Sequence, residues 1–284
     1  MRHLIKTLRL FEAFLMTGFF MIAMIFAVPE LTWHIVGRGA LTFFAVFFLV
    51  LSIYAFNAFC GKKYDFINER LAFLQNTHPA NYFVFSFLFF MASVFLFLFI
   101  DKSLLFYVIS IQFLWIVYSL PFIGLKNFPF VGTVLHLMTQ ILHFNLVYAV
   151  FAPVSLYSVL VSVYFAFLFA AGHLHHEVID YESDIKSDIK TSAVIFGIRF
   201  VSMLSFSVFI VTTIYISVLY VLNMIPLFLA LPLIVAFLLH LFIFLKAYSK
   251  FVDDASSRLS YQRNYRLFYF FGCVAFVIMK IFIK

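Results

Sequence analysis

Charge is what this chain has least of. Only 11% of its 284 residues are Asp, Glu, Lys or Arg, against 65% hydrophobic and 22% aromatic, and the mean hydropathy is +1.10. Soluble domains carry about 25% charged residues, so a water-soluble enzyme and a disordered chain are both excluded. There is too little polar surface to cover a core of this size, and the solvent must be lipid. Cysteine is nearly absent too: Cys60 and Cys273 stand alone, without the CxxC spacing of a zinc site or the pairing of a disulfide framework. The net charge of +7 comes with no basic tail and no aromatic-basic recognition module, so it is not a nucleic-acid signal. Runs of about 10 residues alternating apolar and polar, the mark of a membrane β-barrel, are missing. The first apolar run lacks a small-residue cleavage site, so it is expected to be a retained helix rather than a signal peptide.

What is present is a series of apolar runs near the roughly 20 residues that span a bilayer as helix. Nine are expected, near 10–28, 40–59, 82–100, 103–123, 130–151, 154–175, 193–222, 226–248 and 265–283, broken at Pro29, Pro79, Asp101-Lys102, Pro129, Pro153 and Pro226. The fold class is therefore all-α and polytopic, with residues 1–284 expected to form a single transmembrane domain. The N-terminus and the loops after the even-numbered spans, with residues just inside the adjoining helix ends, hold fifteen of the 19 basic residues. That asymmetry predicts a cytoplasmic N-terminus and an external C-terminus. Nine of the 12 acidic residues share the same side, so the chemistry is expected at the cytoplasmic face.

Three polar stretches lie there. The densest ends the sixth span, from His173 through Glu177, Asp180, Glu182, Asp184, Lys186 and Asp188 to Lys190-Thr191. Asp180, Asp184 and Asp188 recur every four residues, so if the helix continues they form one carboxylate stripe. Like charges at that spacing repel, and a bridging cation reverses the penalty. Hard oxygen donors favour Mg2+, which binds through one or two carboxylates plus waters and phosphate oxygens. A solvated acidic helix end is the alternative. His173 and Glu177 are also spaced i, i+4, but a zinc site lacks an identifiable further ligand. The second stretch, Asn57 to Arg70, ends the second span and contains Lys62, Lys63 and Asp65; the third, Tyr118 to Gly132, joins the fourth and fifth spans and contains Lys126. Within the fifth span, His136, Gln140 and His143 share a helix face. They suit either an acceptor's polar head or interhelical hydrogen bonds.

These residues resemble the UbiA superfamily of intramembrane prenyltransferases. The second aspartate motif of that family, D-x-x-x-D followed by K-T-x-A-V-x-x-G, is matched by Asp180 and Asp184, then Lys190-Thr191, Ala193-Val194 and Gly197. Its Y-S-x-P…L-K…P…G connection is similar to Tyr118 through Gly132. The first motif, N-D-x-x-D-x-x-x-D and then Asn, keeps Asn57, Asp65 and Asn68 but has Ala58 and Gly61 in place of two aspartates. The second motif gains Asp188, where many members have glycine. The tally is one carboxylate plus three, against the usual three plus two.

The resemblance implies nine helices around a cavity opening near the cytoplasmic face, and transfer of an isoprenoid chain from a polyprenyl diphosphate to an aromatic or lipid-like acceptor. It implies Mg2+ as cofactor, held by Asp180 and Asp184 with Asp65, Asn57 and Asp188 as further ligands. Asp180, Asp184 and Asp65 are then the catalytic set; Asn57, Arg70, Lys126, Lys190 and Tyr118 contact the diphosphate-bearing substrate. Lys62 and Lys63 partly replace the missing metal charge. The implied setting is a bacterial cytoplasmic membrane, with no nucleic acid and no obligate protein partner. Two other readings stand beside it: an impaired member that binds isoprenoid lipid, motivated by Ala58 and Gly61, and a cation-linked transporter. Transport predicts ionisable groups near the midplane of several helices, whereas here they crowd one face. The 45 phenylalanines are expected to face lipid for the most part.

Overall fold

The computed structural model describes residues 9–30, 32–65 and 78–282, except for the side chains of residues 62–65 and Ile281. Among the described residues every regular element is helical. In chain order these are α1 (Leu10–Phe20), α2 (Ile22–Ala27), α3 (Trp33–Asp65), α4 (Pro79–Ile100), α5 (Leu105–Ser119) and α6 (Val131–Phe151). There follow α7 (Leu156–Lys186), α8 (Ser192–Phe196), α9 (Ile198–Val221), α10 (Leu227–Ala247) and α11 (Ala255–Phe282). Among the described residues eight stretches are long and apolar enough to cross a membrane, the first being α1 with α2 as Leu10–Ala27. The ninth expected span, near 265–283, covers the later part of α11, whose earlier part carries Arg258 and Arg263, with Arg266 just inside the span. The chain is an integral, multi-pass membrane protein.

Helix ends follow local chemistry. Pro79 occupies the first turn of α4, where its missing N–H costs nothing, and His78 Nδ1 accepts from the Ala80 amide at 3.3 Å. Asp101 closes the α4–α5 turn by accepting from the Ser103 amide at 2.8 Å. Large apolar side chains stand exposed along the spans, among them Phe95, Phe99, Phe106 and Phe113. In water such a surface would aggregate; in a bilayer it is the solvent contact.

Two compact units are present, Met1–Asn127 with Thr139–Val159, and Phe128–Met138 with Leu160–Lys284. In the first, α3 packs along α4 and is crossed by α1 and α5. Reciprocal hydrogen bonds join α3 to α4: Ser52 Oγ donates to the Ser86 carbonyl and Ser86 Oγ to the Ser52 carbonyl, each at 2.9 Å. Such bonds substitute for the hydrophobic drive that lipid does not supply between helices. In the second unit α10 packs closely on α11. At Gly272 a Cβ would meet the Pro232 carbonyl oxygen at 3.1 Å and the Ala236 Cβ at 3.3 Å, so a small residue sets that approach. Ser205 Oγ donates to the Ala171 carbonyl at 2.8 Å, tying α9 to α7.

Candidate functional site

In the second unit the polar stretch lies mostly within one helix. α7 runs unbroken to Lys186, carrying Asp180 and Asp184, both half-buried, on successive turns. The helix then stops. The amides of Ser187, Asp188 and Ile189 turn back onto the carbonyls of Ser183, Ile185 and Asp184. Asp188 adopts φ 54, the left-handed conformation that closes many helices. This corrects the expected three-carboxylate stripe: Asp188 lies beyond the helix and off its face. A residue at this left-handed position is favoured as glycine, which accounts for the glycine of the resembled motif.

The chain after the turn folds back on the carboxylates. Thr191 Oγ1 donates to Asp184 Oδ2 at 3.1 Å, so the threonine of the K-T pair orients the second aspartate. Ser192, fully buried, accepts from the Phe130 amide at 2.9 Å and holds the segment before α6 against α8. Gly197 separates α8 from α9 at φ 86, a conformation that requires glycine. Lys190 is exposed beside this turn. Behind α7, the guanidinium of the fully buried Arg258 donates to the Phe251 carbonyl at 2.6 Å and pairs with Glu182, which lies between the two aspartates in sequence. A long side chain from the start of α11 thereby braces the end of α7. His175 Nε2 lies 3.3 Å from the Arg258 carbonyl, and His240 hydrogen-bonds Tyr261 in a buried aromatic cluster. His240 is thus a packed, hydrogen-bonded residue.

The first unit holds the remaining described candidates. Lys126 Nζ donates to Asn57 Oδ1 at 2.9 Å, Ser119 Oγ donates to the same oxygen at 3.4 Å, and the Lys126 ammonium lies 5.4 Å from the centre of the Tyr118 ring. Asn57 comes from α3 and Lys126 from the 3-10 turn Leu125–Asn127, 69 residues later. The structure therefore brings Asn57, Tyr118 and Lys126 together. Asp65 ends α3, but its side chain, those of Lys62 and Lys63, and Arg70 lie outside the described residues.

The sequence pattern of the UbiA prenyltransferase family matches residues 14–277. The chain belongs to that family. Similar solved structures include a UbiA homologue from Archaeoglobus fulgidus bound to DMAPP and Mg2+, at 16% identity and TM-score 0.74 over 99% of both chains. The same homologue bound to GPP and Mg2+ gives 16% and 0.74 over 97% of this chain and 99% of that one. A digeranylgeranylglyceryl phosphate synthase gives 14% and 0.68 over 99% of both. At these identities the likeness is one of fold. No curated protein matches the chain.

Within this family fold, the donor set suits Mg2+ better than zinc. Among the described residues no group of three or more His, Cys, Asp or Glu side chains can hold a metal by itself. Asp180 and Asp184 present hard oxygens on adjacent turns, the partial set that Mg2+ completes with waters and phosphate. Thr191, Arg258 and Glu182 were not singled out from sequence as positioning groups. The signal that was available is the i, i+4, i+8 spacing of Tyr261, Tyr265 and Tyr269, all buried, which marks the inner face of α11.

Proposed function

We propose that this protein is a Mg2+-assisted prenyltransferase that moves an isoprenoid chain from a polyprenyl diphosphate to a hydrophobic acceptor, aromatic or lipid-like. The observation that carries this reading is Asp180 and Asp184 on one face of α7, with Asp184 latched by Thr191 of the family's K-T motif. In this reading Asp180 and Asp184 hold the metal, with Asp65 as a further ligand. Bound Mg2+ supplies positive charge to the diphosphate oxygens as the leaving group gains its electron pair.

The chain's own residues do the rest. The ammonium of Lys126, steadied by Asn57 and the Tyr118 ring, meets diphosphate oxygens, as do Lys190 and Arg70. Preorganised cations of this kind lower the barrier because they need no rearrangement as charge develops. Asp188, off the helix face, closes α7. The charge asymmetry of the loops supports a cytoplasmic N-terminus, an external C-terminus and a site opening to the cytoplasm. A bacterial cytoplasmic membrane is the setting this reading adopts.

The test uses purified protein, labelled geranyl diphosphate and a panel of aromatic and lipid acceptors, with and without Mg2+. Mg2+-dependent transfer, abolished by Asp180→Ala and by Asp184→Ala in proteins that still insert and purify, is the expected result. Full turnover by either variant sinks the metal assignment. Ala58 and Gly61, where the family carries aspartates, favour a second reading as an isoprenoid-lipid binder. Donor binding without diphosphate release across the whole panel would select it.

A further inference from the structure

The carboxylate stripe of α7 continues below Asp180. At 3.6 residues per turn, His173, Glu177, Asp180 and Asp184 fall within roughly 60° of one another around the helix, spread over about 16 Å of its length. The lower half of this stripe is a built cluster. His173 Nδ1 lies 3.2 Å from Thr133 Oγ1 of α6 and 3.6 Å from Glu177 Oε1. The His136 ring stands with its centroid 4.1 Å from that of His173, tilted by 39°. Glu177 is 8% exposed, and its carboxylate also faces the Ser192 hydroxyl and the backbone amides of Ser192 and Ala193 at the start of α8. A buried carboxylate fixed by such donors beside an imidazole suits a site in which positive charge develops on the ring.

We propose that His173 is the base that takes the acceptor's proton during prenyl transfer, oriented through Nδ1 by Thr133 and Glu177. This deepens the prenyltransferase reading and rests on it. The hydroxyl and carboxylate around Nδ1 place the ring hydrogen there, so Nε2 presents the lone pair. The bond between the donor's first carbon and the diphosphate oxygen breaks, and its electron pair leaves with the diphosphate. An electron pair of the acceptor's aromatic carbon or hydroxyl oxygen forms the new bond to that carbon. The proton released from the same acceptor atom moves to Nε2, and Glu177 stabilises the imidazolium. His173 lies about 10 Å along the helix from Asp180. In this proposal the acceptor's reacting atom lies at that depth, with diphosphate at the aspartates. The cluster follows the logic of a base held by a third group.

The experiment uses the purified full chain, labelled geranyl diphosphate, and the panel acceptor that the wild type prenylates best. It reads label on acceptor, diphosphate released, and affinity for geranyl diphosphate with Mg2+ by calorimetry. In His173→Gln, transfer falls at least about 100-fold, the low end of general-base contributions. Diphosphate release and donor affinity stay within about threefold, and the label leaves as prenyl alcohol formed with water. Glu177→Gln shifts product in the same direction by a smaller factor. Transfer reduced by less than about tenfold in His173→Gln, or release lost in step with transfer, overturns the proposal. Calorimetric binding shows that the variant is folded. A wild type that binds donor but releases no diphosphate overturns the prenyltransferase reading, and the base with it.

Discussion

Thr191→Val tests the latch on the second aspartate. Valine keeps the volume and branching of threonine and removes only the hydroxyl that donates to Asp184 Oδ2 at 3.1 Å. A hydrogen bond to a charged group contributes about 1.5–3 kcal/mol when well buried. Both partners are half-buried, so the low end applies, about 1.5 kcal/mol, or roughly tenfold in an equilibrium constant. The bond spans the turn that ends α7, so its loss frees the carboxylate to rotate rather than unfolding the helix. The cost should therefore fall on metal affinity, in the range found when partners of metal-binding carboxylates are removed. Diphosphate release titrated with Mg2+ reads it: half-saturation should rise about tenfold while the plateau stays within about threefold. Thr191→Ser, which restores a donor, should recover most of the shift. An unchanged Mg2+ titration in Thr191→Val would refute the reasoning, because the hydroxyl would then not be holding a carboxylate that the metal uses.

Other expectations follow from single contacts. Asp188→Gly should leave transfer within about twofold and raise stability by up to about 1 kcal/mol in a thermal unfolding assay, since φ 54 suits glycine; a large loss of Mg2+ response would return Asp188 to the ligand set. Lys126→Met should weaken donor binding at least about tenfold, because one unit charge at 4 Å is worth about 4 kcal/mol before screening at a partly exposed site. Combined with Asn57→Ala the two effects should be less than additive, as the residues share a 2.9 Å hydrogen bond. At the start of α11, hydrogen bonds from the Ser257 hydroxyl and then from Ser256 hold the Asp254 carboxyl down to about 2. A carboxylate depressed in this way stabilises the folded helix end above its unfolded value, near 3.9, and that contribution is lost as pH falls towards 2. Hydrogen exchange at the Ser256 and Ser257 amides should accelerate over that window in the wild type and much less in Asp254→Asn.

Much of the fold was legible because hydropathy and helical period are local properties. The segments near 82–100, 130–151 and 226–248 coincide with α4, α6 and α10. The paired aspartates and the K-T motif were legible for the same reason, since their spacing lies within a few turns. The end of α7 was not. Asp188 keeps the four-residue spacing, yet the backbone turns left-handed two residues after Lys186, so spacing alone extended the stripe one turn too far. His173 and Glu177 showed their i, i+4 relation, but without the packed helix they suggested only an incomplete zinc site. The partner that changes their meaning, Thr133, is 40 residues earlier on another helix.

By itself the sequence determined the solvent, the all-helical class, the family and the carboxylate-bearing helix. It does so because burial of apolar residues in lipid and the period of the helix act over one segment at a time. The tertiary structure decided which groups hold those side chains: Thr191 on Asp184, Arg258 against Glu182, Lys126 on Asn57, and Thr133 with Glu177 on His173. Several of these partners lie 40, 69 and 76 residues apart. A hydrogen bond needs its donor and acceptor within about 3 Å, and only helix packing sets such a distance.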